Sequence, residues 1–347
     1  MKNYVLDMTK NRFKMVVKQM IGENYRFDQI MRWIYIKKKD SFDNFTDLPN
    51  ELRKKLSEKF FLRILKIINK KESIVDGTIK YTFKTIDKKY FSAVFIPSDD
   101  KNSICVSSQI GCSAICTFCY SGKIKFERNL SGGEILEQIL QIENDTRKKI
   151  SRVLFMGTGE PMLNYSNIDF ALNLLLSNKE FNIGKRHIVV STIGIVPEIK
   201  KLADRNLGVR LALSLHAVDE RVRKKMVSNN FGFLIEDILD AGKYFLKKTN
   251  SRLTIEYVLI KNINSSSKDA HKLARLLMKH DLINYKTNVN LIPFNSIAYA
   301  KFQPPSDELI KKFKNVLKFN RINSNVRKAK GVDINSACGQ LGIFDSN

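Results

Sequence analysis

The sequence predicts an α/β protein: repeated βα units around a parallel sheet or barrel, preceded by a small helical domain and a β-hairpin. Three observations predict it. Apolar residues recur at helical spacing in the first 70 positions, a short segment then alternates with period two, and beyond residue 103 apolar strand-like runs alternate with helical stretches.

In the helical part, Phe27, Ile30, Met31 and Ile34 fall on one helical face, and Asp47-Leu48-Pro49-Asn50 marks a turn before a further helix over 51–61. Tyr25, Arg26, Arg32, Trp33, Tyr35 and Lys37-Lys38-Lys39 combine cations with aromatics, as RNA contact requires; the plainer reading puts Trp33 and Tyr35 in the core. Between 73 and 97, Ile79, Tyr81 and Phe83 alternate with Lys80, Thr82 and Lys84, and Asp87-Lys88-Lys89 reads as a hairpin turn. The later runs, 153–156, 187–191, 209–215, 253–260 and 289–293, are the strands of the βα series. Chemistry in such folds sits at the carboxyl ends of the strands. The expected divisions are a helical domain over 1–70, a hairpin extension over 71–102 and the βα domain over 103–347. There is no internal repeat or low-complexity tract.

Sixty Lys and Arg against 35 Asp and Glu give a net charge of +25 over 347 residues, which points to a polyanionic partner, RNA or DNA first. Drift toward Lys and Asn codons is the bland alternative. No apolar stretch is long enough to cross a bilayer, and the first residues lack the apolar core of a secretion signal, so a cytoplasmic protein without a membrane partner is expected.

Five cysteines in a reducing compartment suit metal or catalytic work better than a disulfide framework. Cys112, Cys116 and Cys119 form Cys-x3-Cys-x2-Cys on a loop directly after a strand. Three thiolates can hold three corners of a 4Fe-4S cube, leaving one iron open to the amino and carboxylate groups of S-adenosylmethionine (SAM). Structural zinc competes, but zinc wants four closed ligands and no fourth Cys or His is nearby. With Phe118 just before the last cysteine, this stretch resembles the radical-SAM signature. The turn Gly157-Thr158-Gly159-Glu160-Pro161, which ends a strand, resembles the superfamily's SAM-contacting motif, with Glu160 suited to accept from an ammonium group.

Cys105 and Cys338 remain, and a pair of small buried hydrophobes is their plain reading. Their contexts go further. Cys105-Val106-Ser107-Ser108-Gln109-Ile110-Gly111-Cys112, Arg128-Asn129-Leu130, Gly159-Glu160-Pro161-Met162-Leu163-Asn164, Ser214-Leu215-His216-Ala217, Ile292-Pro293-Phe294-Asn295 and Ala337-Cys338-Gly339-Gln340 together resemble the RlmN/Cfr family over nearly the whole chain.

That resemblance implies a partial (βα)6 radical-SAM barrel that methylates an adenine carbon, C2 in the RlmN branch, in 23S rRNA and also in tRNA. It implies SAM contacts at Gly159, Glu160, Ser191, Ser214, Leu215, His216 and Asn295, although a histidine at a strand end is often only a structural hydrogen-bonder. It also implies a relay. Cys338 takes a methyl from one SAM as a thiolate, a radical made from a second SAM removes a hydrogen from it, the carbon adds to the ring, and Cys105 resolves the adduct as a disulfide. Cys105 and Cys338 should therefore meet. A flavodoxin- or ferredoxin-type electron donor and a monomeric state are the further expectations.

Three departures bear on substrate choice and turnover, one being Tyr120-Ser121-Gly122-Lys123-Ile124-Lys125-Phe126 after Cys119, where the RlmN branch commonly has a Ser-Thr-Ala type sequence. The family's usual glutamate ahead of Cys105, a candidate base for the ring proton, is Ser92 here, a poor base at neutral pH. Segment 226–230 lacks a proline-containing form common in the family. A Cfr-like C8 methyltransferase and an RNA-binding homologue without methylation are the competing functions; five retained cysteines count against the second.

Overall fold

A computed structural model describes residues 2–21, 24–229, 231–297 and 300–342. Its centre is a ten-stranded sheet whose spatial order is the sequence order: β1 (Lys66–Glu72), β2 (Ile79–Lys84), β3 (Tyr90–Ile96), β4 (Ser103–Cys105), β5 (Arg152–Phe155), β6 (Ile188–Thr192), β7 (Arg210–Ser214), β8 (Leu253–Leu259), β9 (Thr287–Pro293) and β10 (Ser324–Val326). β1 to β4 pair antiparallel and β4 to β10 parallel. Helical crossovers join the parallel strands, as parallel pairing demands. They include α4 (Gly132–Thr146), α5 (Tyr165–Leu176), α6 (Val196–Arg205), α8 (Ile235–Thr249), α9 (Ser267–Lys279) and α10 (Asp307–Phe319), with a short α7 (Glu220–Met226) before α8. The sheet stays open at β1 and β10, so the six βα repeats make the partial barrel that the sequence predicts.

Residues 66–72, expected to end the helical part, form strand β1 instead. Its alternation of exposed and half-buried positions and its Lys66, Lys70 and Lys71 are the marks of a charged edge strand, which resists pairing with another chain. The hairpin turn lies where it was read. Lys88 takes a left-handed φ of 61°, and Asp87 forms a two-pronged ion pair with Arg128, whose guanidinium also grips Glu134.

Helices α1 (Lys10–Ile21), α2 (Asn24–Met31) and α3 (Asn50–Lys59) share one hydrophobic core with α4, which the turn Val5–Asp7 contacts directly. Glu137 of α4 is the anchor: its buried carboxylate accepts from Tyr4 Oη and from the backbone N–H groups of Ile64 and Leu65. Trp33 and Tyr35 are core residues. Trp33 stacks on Phe45 at 5.4 Å and donates to Asp47, while Tyr35 packs edge-on against Phe181. They are therefore not the RNA-stacking surface that their cationic neighbours suggested.

Candidate functional site

The cysteine loop follows β4 and lies over the carboxyl ends of the strands. Its path needs close backbone approach: a Cβ on Gly122 would stand 2.6 Å from the Cys116 carbonyl oxygen, and Gly159, at a φ of 109°, packs against Gln109 with no room for a side chain. Segment 226–229, singled out only for a missing proline, braces this loop. Thr117 N–H donates to the Met226 carbonyl at 2.8 Å, and Asn229 grips the Ser113 carbonyl at 3.0 Å; Asn230 lies outside the described residues.

Cys112, Cys116 and Cys119 line one open cavity together with Gly159, Glu160, Ser191, Ser214, His216, Asn295 and Cys338. Strands β5 to β9 thus deliver the predicted groups to one place. Leu215 is the exception: it is fully buried in the core and does not line this cavity.

Glu160 is buried with each oxygen occupied, one by Met162 N–H at 3.0 Å and one by Ile193 N–H at 2.9 Å, and burial pushes its pKa up to about 7. His216 is also buried. Its Nδ1 accepts from Val258 N–H at 3.1 Å, its ring packs edge-on on Phe118, and burial, aided by Arg223, lowers its pKa to about 3. His216 is therefore a neutral, Nε2-protonated side chain whose structural bond leaves one edge to the cavity. The Ser191 and Ser214 hydroxyls stand 3.3 Å apart.

A second, smaller pocket opens off the first, and both Cys105 and Cys338 line it. Cys105 is buried and Cys338 exposed. Burial, and then the neighbouring Cys338, push the Cys105 thiol up to about 12, against the pull of Arg327. The segment carrying Cys338 is strapped over the barrel by hydrogen bonds that include one from Ser121 Oγ to the Leu341 carbonyl at 2.7 Å. Asn295 donates to the Cys338 carbonyl, Gln340 to the Ser296 carbonyl and Tyr120 N–H to the Gly339 carbonyl.

Sequence reasoning missed Arg327 and Glu256. Arg327 lines both pockets, its charge held by Cys338, Glu256 and Cys105. Glu256 is buried, accepts from Asn290 at 3.0 Å with one oxygen and leaves the other without a partner. Ser92 is fully buried in β3, its hydroxyl unpartnered, and lines neither pocket.

Among the described residues, no three Cys, His, Asp or Glu groups converge as ligands of a single metal ion. A 4Fe-4S cube binds each thiolate on a separate iron, so it needs no such convergence, whereas zinc does. Three half-buried thiols rimming one cavity fit a cube with an open corner. The barrel and this cavity define a radical-SAM protein. Residues 106–274 match the Radical SAM superfamily, whose members use a 4Fe-4S cluster and SAM, and the fold superposes on a radical SAM methyltransferase from Sphaerobacter thermophilus with a TM-score of 0.92, at 34% identity, covering 98% of this chain and 99% of that one.

The chain belongs to the RlmN family. Residues 4–62 match the ribosomal RNA large subunit methyltransferase N-terminal domain. It is 64% identical to a probable dual-specificity RNA methyltransferase RlmN of Endomicrobium trichonymphae, over 98% of this chain and 97% of that protein, and 42% identical to the one of Thermotoga maritima, over 99% and 98%.

Proposed function

We propose that this chain methylates C2 of adenine in 23S rRNA and in tRNA, with Cys338 as carbon carrier and Cys105 as resolving thiol. One observation carries the reading: Cys105 and Cys338, near opposite ends of the barrel sequence, line one pocket that opens onto the three-cysteine cavity.

Cys112, Cys116 and Cys119 would hold the cluster, and Glu160, Ser191, Ser214, His216 and Asn295 surround the space for SAM. The cluster with SAM supplies one-electron chemistry, which an electron-poor ring carbon needs because it cannot attack a methyl group itself. In the metal-free chain burial raises all three loop thiols, Cys112 to about 12, so cluster loading releases protons.

Cys338, exposed on the strap, is the thiol that SAM and RNA can both reach. As a thiolate it would accept a methyl group that bound SAM supplies, gaining an S–C bond at the expense of the sulfonium–methyl bond. Cys105 is buried, does not line the cavity proposed for that methyl donor, and shares the smaller pocket with Cys338, which supports its reading as the resolving thiol. Arg327, between the two, is the cation available to the thiolate that forms at either. The reducing electron is expected from a flavodoxin- or ferredoxin-type protein, and the working unit is expected to be a monomer. No helix of the described residues is long and apolar enough to cross a membrane.

The test is anaerobic reconstitution with iron and sulfide, then incubation with SAM, reductant and unmodified ribosomal RNA. 2-Methyladenosine in the digested nucleosides is expected. 8-Methyladenosine would move the target to C8, and 5′-deoxyadenosine without methylated RNA would overturn the substrate.

A further inference from the structure

The end of the barrel opposite the cysteine cavity carries a cation at the start of each of five successive parallel strands. Arg152 opens β5 and Arg210 opens β7. Arg186 sits in the turn Lys185–His187 directly before β6. Arg252 and Lys286 directly precede β8 and β9, and their carbonyls accept from Leu211 and Leu253 N–H on the neighbouring strands. Parallel register brings these positions side by side, although they are dispersed along the sequence.

None of the five has a carboxylate partner among the described residues. The Lys286 amino group donates to the Asn250 side chain, and Arg210 Nε is buried without any partner. Arg252, Arg152 and Arg186 crowd Arg210, and Lys101 joins them around His187; after burial, like charge is the cause that disfavours the protonated form at both. Helix carboxyl ends also lie at this end and favour cations, each by about half a charge at most. The arginines bond to none of those carbonyls, so helix ends do not account for the cluster. A cavity lined by Arg210, Arg252, Lys286 and the amides of Asn288 and Asn325 opens here, and Tyr285, 79% exposed, stands at its edge with the Lys286 amino group 5.1 Å from its ring.

We propose that this strand-start cluster is a second RNA-binding surface, which holds phosphates of a segment other than the one whose adenine enters the cysteine cavity. Unpaired guanidinium groups grip phosphate oxygens two at a time, and an exposed tyrosine offers a base a face to stack on. That combination distinguishes RNA from an acidic protein, which would need no ring, and from a membrane, which would need an apolar wedge. The proposal rests on the RNA-methyltransferase reading.

The test is fluorescence anisotropy of the full chain with ribosomal RNA fragments and tRNA over a range of salt, comparing the natural chain with Arg186→Gln/Arg252→Gln. Both arginines are exposed and, among the described residues, their side chains make no hydrogen bond or ion pair, so the fold is expected to survive, which circular dichroism checks. Removing one phosphate-binding cation flattens the slope of log affinity against log salt by roughly 0.7 to 0.9, so the double variant is expected to flatten it by about 1.5 and to weaken binding roughly tenfold at moderate salt. Affinity and slope equal to the natural chain's would overturn the surface while leaving the methyltransferase reading intact; a natural chain that binds no RNA would overturn both. Tripolyphosphate separates the sources of phosphate. Competition with RNA that vanishes in the double variant supports the proposal, and tripolyphosphate binding with no effect on RNA marks a free-anion site and overturns it.

Discussion

The side-chain amide of Asn295 donates to the backbone carbonyl of Cys338 over 2.9 Å, joining the end of strand β9 to the strap that bears the exposed thiol. A residue expected at the SAM site thus also fixes the residue expected to receive the methyl group. One bond serves cofactor geometry and thiol placement together.

Removing that bond should loosen the strap over Cys105. A hydrogen bond of this kind is worth about 1 kcal/mol, so Asn295→Ala should raise the open population, and the rate of Cys105 alkylation in the metal-free chain, roughly fivefold. Mass spectrometry of the alkylated peptide measures it. An unchanged rate would mean that the remaining bonds hold the strap without it.

The two relay thiols should fail in different ways. Cys338→Ala is expected to abolish methylation while RNA affinity stays within about twofold, because one exposed thiol adds little to a surface dominated by phosphate contacts. Cys105→Ala should instead trap RNA on the protein through Cys338, visible as a slow band on a denaturing gel. That band should vanish in the double variant; a band that persists would place the bond elsewhere.

His216 should stay neutral across the working range. Its pKa falls from 6.5 in the unfolded chain to about 3 in the folded one, so below pH 6.5 the unfolded state binds more protons. Its contribution to stability is therefore complete above about pH 6.5 and lost progressively as pH falls toward 3. Imidazole NMR should show no titration between pH 5 and 8. A midpoint near 6.5 would contradict the burial described.

Ser92→Ala should be silent. The hydroxyl is buried, without a partner and outside both pockets, so its removal is expected to change stability by less than about 1 kcal/mol and methylation not at all. Loss of turnover at unchanged melting temperature would instead give Ser92 a part in handling the ring proton.

What could be read in the sequence was what local pattern encodes. Cys-x3-Cys-x2-Cys lies within one loop, and period-two and helical spacings mark β2, α2 and the parallel strands over a few residues each. Contacts set by topology left no local mark. Arg327 is one cation among sixty, and only the register of β10 on β9 carries it to the thiols. Glu256 sits inside the apolar run of β8, where a carboxylate reads as an interruption, and the brace from Met226 and Asn229 exists only because α7 ends beside the cysteine loop. Charge misled at β1, whose lysines suit a helix surface and an edge strand equally, and at Trp33, whose neighbouring cations cover a core residue.

Isotope tracing tests the relay most directly. The reconstituted enzyme is supplied with SAM bearing a trideuterated methyl group, and the methyladenosine formed is weighed by mass spectrometry. Passage through Cys338, with one hydrogen removed before the carbon reaches the ring, predicts a product methyl that retains two deuterium atoms. A methyl that arrives with all three would show direct transfer and contradict the role of the Cys105 and Cys338 pair.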